Sequence, residues 1–222
     1  MTYLAIFDVD GTLVDSQNHI AASMEFAHEQ AGIPCPERPK LLEIVGLSLP
    51  EAFRHLHPEL PETAIAALVT GYKGAFHAIR TQPDAHKAAP LFPGVAEGLD
   101  KLSDAGILIG AATGKSRRGL DATLETHGLT RHFVTTQCAD NHPSKPHPSM
   151  VLTAVAEAGA DPARSVMIGD TEFDIAMGRA AGVATVGVVW GYHAPERLRA
   201  AGADTIAADF PELVELILGY AR

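Results

Sequence analysis

The sequence predicts an α/β fold, a doubly wound and mostly parallel sheet that carries a small inserted all-helical unit. Three observations predict it. Short apolar runs ending in polar residues or glycine alternate with helical patterns along most of the chain. The alternation breaks once, between residues 17 and 85, where only helical patterns occur. Acidic, hydroxyl and basic residues collect where the apolar runs end, the place where ligands of parallel sheets bind.

The elements follow in order. "YLAIFDV" (3–9) is a buried strand, bounded by the turn residues Asp10, Gly11 and Thr12. "NHIAASMEFAHEQAG" is an amphipathic helix ending at Gly32, and "PERPKLLEIVG", "SLPEAFRHLH" and "PETAIAALVTGYKGAFHAI" are further helical segments punctuated by proline and glycine. "TQPDAHKAAPLFPG" (81–94) is Pro-rich and reads as a return linker. "GILIGAAT" (106–113), "HFVTTQ" (132–137), "SVMIGD" (165–170) and "ATVGVVW" (184–190) are the next strands. Helices follow Ser116, span about 148–159 and run over about 171–182. Strands alternating with helices imply βαβ crossovers. The organisation expected is a core from residues 1–16 and 86–222 and a helical insertion over 17–85.

Composition narrows the classes. The 222 residues suffice for a full core plus a smaller second unit, and 46% hydrophobic with 20% charged residues is ordinary for a globular chain. A formal net charge of −10 argues against nucleic acid as partner, since phosphate backbones need a basic footprint. An anionic substrate must then be attracted locally, by a metal, a lysine or helix N-termini. No basic n-region or membrane-length apolar run is present, and the two cysteines, Cys35 and Cys138, are expected as free thiols in a reducing cytoplasm.

Asp8 and Asp10 stand two apart, so on a strand their side chains share one face and enter one crevice. Two such carboxylates repel unless a cation or a shared proton settles them. In "AATGKS" (111–116), Thr113 ends a strand, Gly114 follows and Ser116 can cap a helix, a combination that makes an anion site from backbone N–H groups. Lys145, between prolines in "HPSKPHPSM", can neutralise a phosphate or serve as an ordinary surface lysine. Asp170 ends a strand and Asp174 follows one helical turn later, so Asp174 can hold Lys145 while Asp170 faces a metal. His142 and His147 read as solvated histidines rather than zinc ligands, and Cys138 as a small buried group. "WGYH" (190–193) borders the crevice or supplies core aromatics.

Taken together, "FDVDGTLVDS", "LIGAATGKS", "SKPHP" and "GDTEFDIAMGRAAG" resemble the haloacid dehalogenase superfamily, and the insertion resembles its helical cap of the first type. The tail "GVVWGYHAPERLRAAGADTIAADFPELVELI" also resembles phosphoglycolate phosphatases. The resemblance implies a Rossmann-like core and a cytoplasmic, Mg²⁺-dependent phosphatase of a small phosphorylated metabolite such as 2-phosphoglycolate, working as a monomer or homodimer. It makes Asp8 the nucleophile, Asp10 the general acid and base, and Thr113, Gly114 and Lys145 the phosphoryl-binding groups. Mg²⁺ would be held by Asp8, the backbone carbonyl of Asp10, and Asp170, with Asp174 in support. Pyrophosphatase, sugar-phosphate phosphatase and phosphoglucomutase activities belong to the same scaffold; for the mutase an arginine is expected where Leu49 stands. A non-catalytic interaction protein would have lost one of these charged positions, and none is missing. The insertion is expected to act as a lid that decides the substrate, with "VGLSLPEAF" (45–53) reaching the crevice and Ser48 bonding the substrate.

Overall fold

A computed structural model describes residues 2–82 and 89–221. Among them the sheet has six parallel strands: β1 (Leu4–Phe7), β2 (Leu108–Thr113), β3 (Phe133–Cys138), β4 (Ser165–Gly169), β5 (Ala184–Val188) and β6 (Thr205–Ala207). Their order is β3-β2-β1-β4-β5-β6, which puts β1 at the centre, with β2 and β3 added on one side of it and β4 to β6 on the other. The sequence "LAIF" shows why β1 belongs there. Ala5 and Phe7 join the apolar cluster on one face, Leu4 and Ile6 the cluster on the other, and all four are fully buried. A central parallel strand is covered on both sides and so reads as an unbroken apolar run.

Helices α1 (Gln17–Ala31), α2 (Arg38–Glu43), α3 (Leu49–Leu56) and α4 (Glu62–Arg80) follow β1. They bury an apolar cluster of their own, around Ile20, Met24, Leu41, Phe53, Ile65 and Leu68, distinct from the two clusters on the sheet. The insertion thus has enough core to hold its own shape. The remaining helices, α5 (Val95–Asp104), α6 (Arg117–Thr126), α7 (Ser149–Glu157), α8 (Glu172–Ala180), α9 (Pro195–Ala200) and α10 (Phe210–Ala221), flank the sheet. The boundary expected between residues 85 and 86 lies outside the described residues. On either side of it the two connections run together: Phe92 N–H donates to Leu13 O at 3.0 Å and Asp15 N–H to Pro90 O at 2.9 Å.

Four sequence expectations need correction. The first strand ends at Phe7, so Asp8 and Asp10 lie in the turn beyond it rather than on one strand face. β6, three residues at the sheet edge, and helices α5, α9 and α10 have no counterpart in the sequence reading. The described part of the expected linker is not free chain, because Leu91 pairs with Val14. His142 is half-buried rather than free in solvent; its ring nitrogens bond Ser149 Oγ at 2.8 Å and Gln137 Oε1 at 3.0 Å, tying the loop after β3 to α7.

The insertion also buries two histidines against each other. His28 Nδ1 donates to Met24 O at 2.7 Å, so its Nε2 must accept, and His57 Nε2 donates to it at 2.8 Å. Burial holds the His28 pKa below its ordinary value, with the Met24 carbonyl pulling the other way and His57 adding to the depression. Below about pH 6.5 the unfolded chain therefore binds a proton that the folded chain refuses, and stability falls as pH drops. His28→Gln, which cannot titrate, should compare better with wild type at pH 5 than at pH 8 in urea unfolding. A difference in stability independent of pH would contradict this account.

Candidate active site

The site forms at the carboxyl end of β1, between β2 and β4. Asp8 follows the last residue of β1, and its N–H still donates to Ile168 O of β4 at 2.9 Å, so the ladder fixes its backbone. Gly11 turns the chain away with φ +83, and a Cβ there would lie 2.2 Å from Asp170 Oδ2. Only glycine admits both that left-handed backbone and that approach.

Lys145 is the surprise of the site. The loop from Cys138 to α7 carries it inward, and it is 2% exposed. Its Nζ donates to Asp174 Oδ1 at 2.6 Å and lies 2.9 Å from Asp8 Oδ1. The sequence left a surface lysine open as a reading; the structure removes it. Burial alone would lower the Lys145 pKa, but Asp174 and Asp8 outweigh it and hold the ammonium charged. Asp174 is spent on structure: its Oδ2 accepts from Thr171 N at 3.0 Å and Thr171 Oγ at 2.7 Å, a capping box that starts α8.

Asp8, Asp170 and Asp174 offer carboxylate oxygens all within 4.8 Å of one another, and all three are buried. Asp170 accepts from Thr12 Oγ at 2.8 Å and from Tyr192 N at 2.9 Å, so "WGYH" does border the site. Trp190 turns the other way, its Nε1 donating to Thr12 O at 3.0 Å while the ring packs on Phe92 and Phe210. Asp8 Oδ2 is buried with no hydrogen-bond partner, and its Oδ1 meets Lys145 as an ion pair only. Burial pushes the Asp8 carboxyl up to about 7 against the pull of Lys145, with Asp174 and Asp10 adding to the rise. Asp170 is pushed up as well, by burial first and then by Asp174 and Asp8. An uncompensated buried carboxylate oxygen is costly. A hard, oxygen-seeking dication is the partner such a donor set fits.

Asp10 lies apart from this cluster. Lys115 Nζ donates to both its oxygens at 2.7 Å, and Ser16 Oγ donates to Oδ1. The side chains of Lys115 and Asp10 are only 7% and 13% exposed, so the pair is well shielded from solvent. Sequence reasoning passed over Lys115 although it stands inside "AATGKS"; a basic residue in the turn after a strand-end threonine was the available signal. Thr113 is buried, and its Oγ accepts from Lys115 N at 3.3 Å, which leaves the hydroxyl proton free to donate. Ser116 caps α6 as expected, accepting from Gly119 N at 3.2 Å.

Asp8, Asp10, Thr113 and Gly114 line one cavity of about 320 Å³, roofed by α1, α4 and the chain around α3. Gly114 meets that roof directly. A Cβ on it would lie 2.6 Å from Gly46 O and 2.7 Å from Leu47 O, both backbone atoms with no room to give. Ser48 does not line the cavity, whereas Gly46, Leu47 and Leu49 do. Ser48 is the extended residue just before α3, and its N–H donates to Ser144 Oγ at 2.8 Å. It joins the insertion to the loop that carries Lys145. His193 makes a second joint, between Glu172 N (3.1 Å) and Glu43 O (2.9 Å).

Known proteins resemble the chain in sequence and fold. The family model for haloacid dehalogenase-like hydrolases matches residues 5–188. The chain is 37% identical over 217 residues to Probable phosphatase IndB of Dickeya dadantii, covering 96% of this chain and 93% of that protein. It is 35% identical to the phosphoglycolate phosphatase of Agrobacterium fabrum over 85% of this chain and 81% of the other. Pyrophosphatase PpaX of Oceanobacillus iheyensis is 29% identical over 96% and 95% of the two chains. A crystal structure of a predicted phosphatase from Clostridium acetobutylicum superposes with a TM-score of 0.88 at 25% identity, over 99% of this chain and 100% of that one.

Proposed function

The chain belongs to the haloacid dehalogenase-like hydrolase family, as a phosphatase, and from that premise we propose that it uses Mg²⁺ to hydrolyse a small phosphomonoester through an aspartyl-phosphate on Asp8. One observation carries the reading. A carboxylate with a free oxygen faces a cavity while a fully buried lysine and two further carboxylates surround it.

Each residue has work in that reaction. Asp8 attacks phosphorus and holds the phosphoryl group, dividing one hard displacement into two easier ones. Lys145 and the Thr113 hydroxyl hold phosphoryl oxygens as charge develops. Asp10 gives a proton to the leaving oxygen, then takes one from the water that opens the intermediate. Ser16 and Lys115 hold its carboxyl in place, and Lys115 gives up one of the two oxygens it bonds so that this oxygen can carry the proton. Asp8, the Asp10 carbonyl and Asp170 would hold Mg²⁺, which supplies the positive charge that lets a carboxylate approach a phosphate. Asp174 supports the site through Lys145. Helices α1–α4 act as the lid, hinged where residues 13–15 run beside 90–92, and closure excludes water. Both described thiols are free, which suits a cytoplasmic enzyme.

Phosphate release from a panel of phosphorylated metabolites, dependent on Mg²⁺ and abolished by EDTA, tests the reading; the substrates named for the relatives place 2-phosphoglycolate and pyrophosphate on that panel. No release from any member would leave an interaction protein as the answer. The metal assignment has its own check. Asp170→Asn should weaken Mg²⁺ binding by at least about tenfold in calorimetry, whereas Asp10→Asn should change it by no more than about threefold and still stop turnover. Equal losses of metal affinity would make the Asp10 carboxylate itself a ligand.

A further inference from the structure

We propose that the alcohol part of the substrate is an apolar body larger than glycolate that ends in an anionic group. This rests on the phosphatase reading above and deepens it. The geometry fixes where the alcohol must lie. Its oxygen leaves beside Asp10, and Asp10 is bonded to Lys115, whose Nζ stands 5.0 Å from the centre of the Phe76 ring. The first carbons of the alcohol therefore emerge against Phe76, which stacks on Tyr72 of the same helix at 5.7 Å.

The walls beyond are apolar: Ile20 and Met24 from α1, and Ile44, Val45, Leu47 and Leu49 from the chain around the start of α3. A cavity of about 320 Å³ has room for roughly ten water molecules. Glycolate would end its carboxylate near Lys115, with almost no hydrocarbon to dry the apolar walls beyond, which would stay wet. A carbon-rich alcohol does the reverse, because it removes both surfaces from water.

The outer rim has the opposite character. Lys73 and Arg80 of α4 and Arg118 of α6 line it, Arg118 bonding the His77 ring at 2.8 Å. Among the described residues none of the three has a carboxylate partner. Asp140 is the acid on that side, and it accepts from Arg117 N at 2.8 Å. In a chain of net charge −10, three such cations at one mouth mark the place for a second anion.

The test compares kcat/KM of the Mg²⁺-loaded enzyme for 2-phosphoglycolate, benzyl phosphate and 4-carboxybenzyl phosphate. All three release aliphatic alcohols, so the series compares fit rather than leaving-group activation, and p-nitrophenyl phosphate reports the chemistry alone. Benzyl phosphate should exceed 2-phosphoglycolate by about tenfold or more. The 4-carboxyl group should add about fivefold at low salt, shrink as salt rises, and disappear in the Lys73→Ala/Arg118→Ala double variant. A preference for 2-phosphoglycolate, with p-nitrophenyl phosphate still cleaved, overturns this proposal and leaves the phosphatase intact. Equal rates for the two benzyl esters overturn the anionic end. No hydrolysis of any ester, p-nitrophenyl phosphate included, overturns the phosphatase reading itself.

Discussion

Asp8→Asn should lower kcat by at least about a thousandfold and leave the protein folded. The loss follows from chemistry: an amide of the same shape has no charge with which to attack phosphorus. The fold survives because the backbone at residue 8 is held by its bond to Ile168 O, which the substitution leaves in place. Three buried carboxylates now share one cluster around a single lysine, and removing one charge relieves repulsion between Asp8, Asp170 and Asp174. The melting temperature without metal should therefore stay level or rise. Kinetics on a preparation whose mass confirms the amide, with a circular-dichroism melt beside it, give both answers. A kcat within about tenfold of wild type would remove Asp8 from the nucleophile's role.

Lys145→Met should have the largest effect on stability. The methionine fills most of the space but leaves Asp8 and Asp174 facing each other with no cation, where the ammonium had stood 2.9 and 2.6 Å from them. Breaking a buried pair by removing one partner costs about 3–5 kcal/mol. In a chain of this size that is roughly 10 °C in melting temperature. Added Mg²⁺ restores positive charge beside the same carboxylates, so the metal should raise the melting temperature of the variant more than that of wild type. Turnover should fall with it, since a phosphoryl-binding cation is gone. An unchanged melting temperature would mean that Lys145 is not the counter-charge of the cluster.

The sequence by itself determined the alternation of strands and helices, the helical insertion after β1, and which residues stand where the chain leaves the sheet. Those features are local. Apolar periodicity, a glycine turn after Asp10 and a serine cap at Ser116 are each read from a few neighbouring residues, and the structure bears them out. Helix α5 was within reach of the same reading, since Val95, Leu99 and Leu102 recur at helical spacing. β6 was not, because three residues are too few to show a period. The tertiary structure alone decided which charges are buried. Asp174 is foreseen as a partner of Lys145 and the pair forms, but nothing near this lysine, set between two prolines in a polar loop, reveals that it is buried or that Asp8 shares it. Lys115 and Asp10 are separated by 105 residues and by a whole helical insertion, yet each satisfies the other. A charge can leave water only when its counter-charge and hydrogen bonds are assembled around it. In this molecule those partners come from different strand ends, so only the closed sheet, with the insertion laid over Gly114, brings them together.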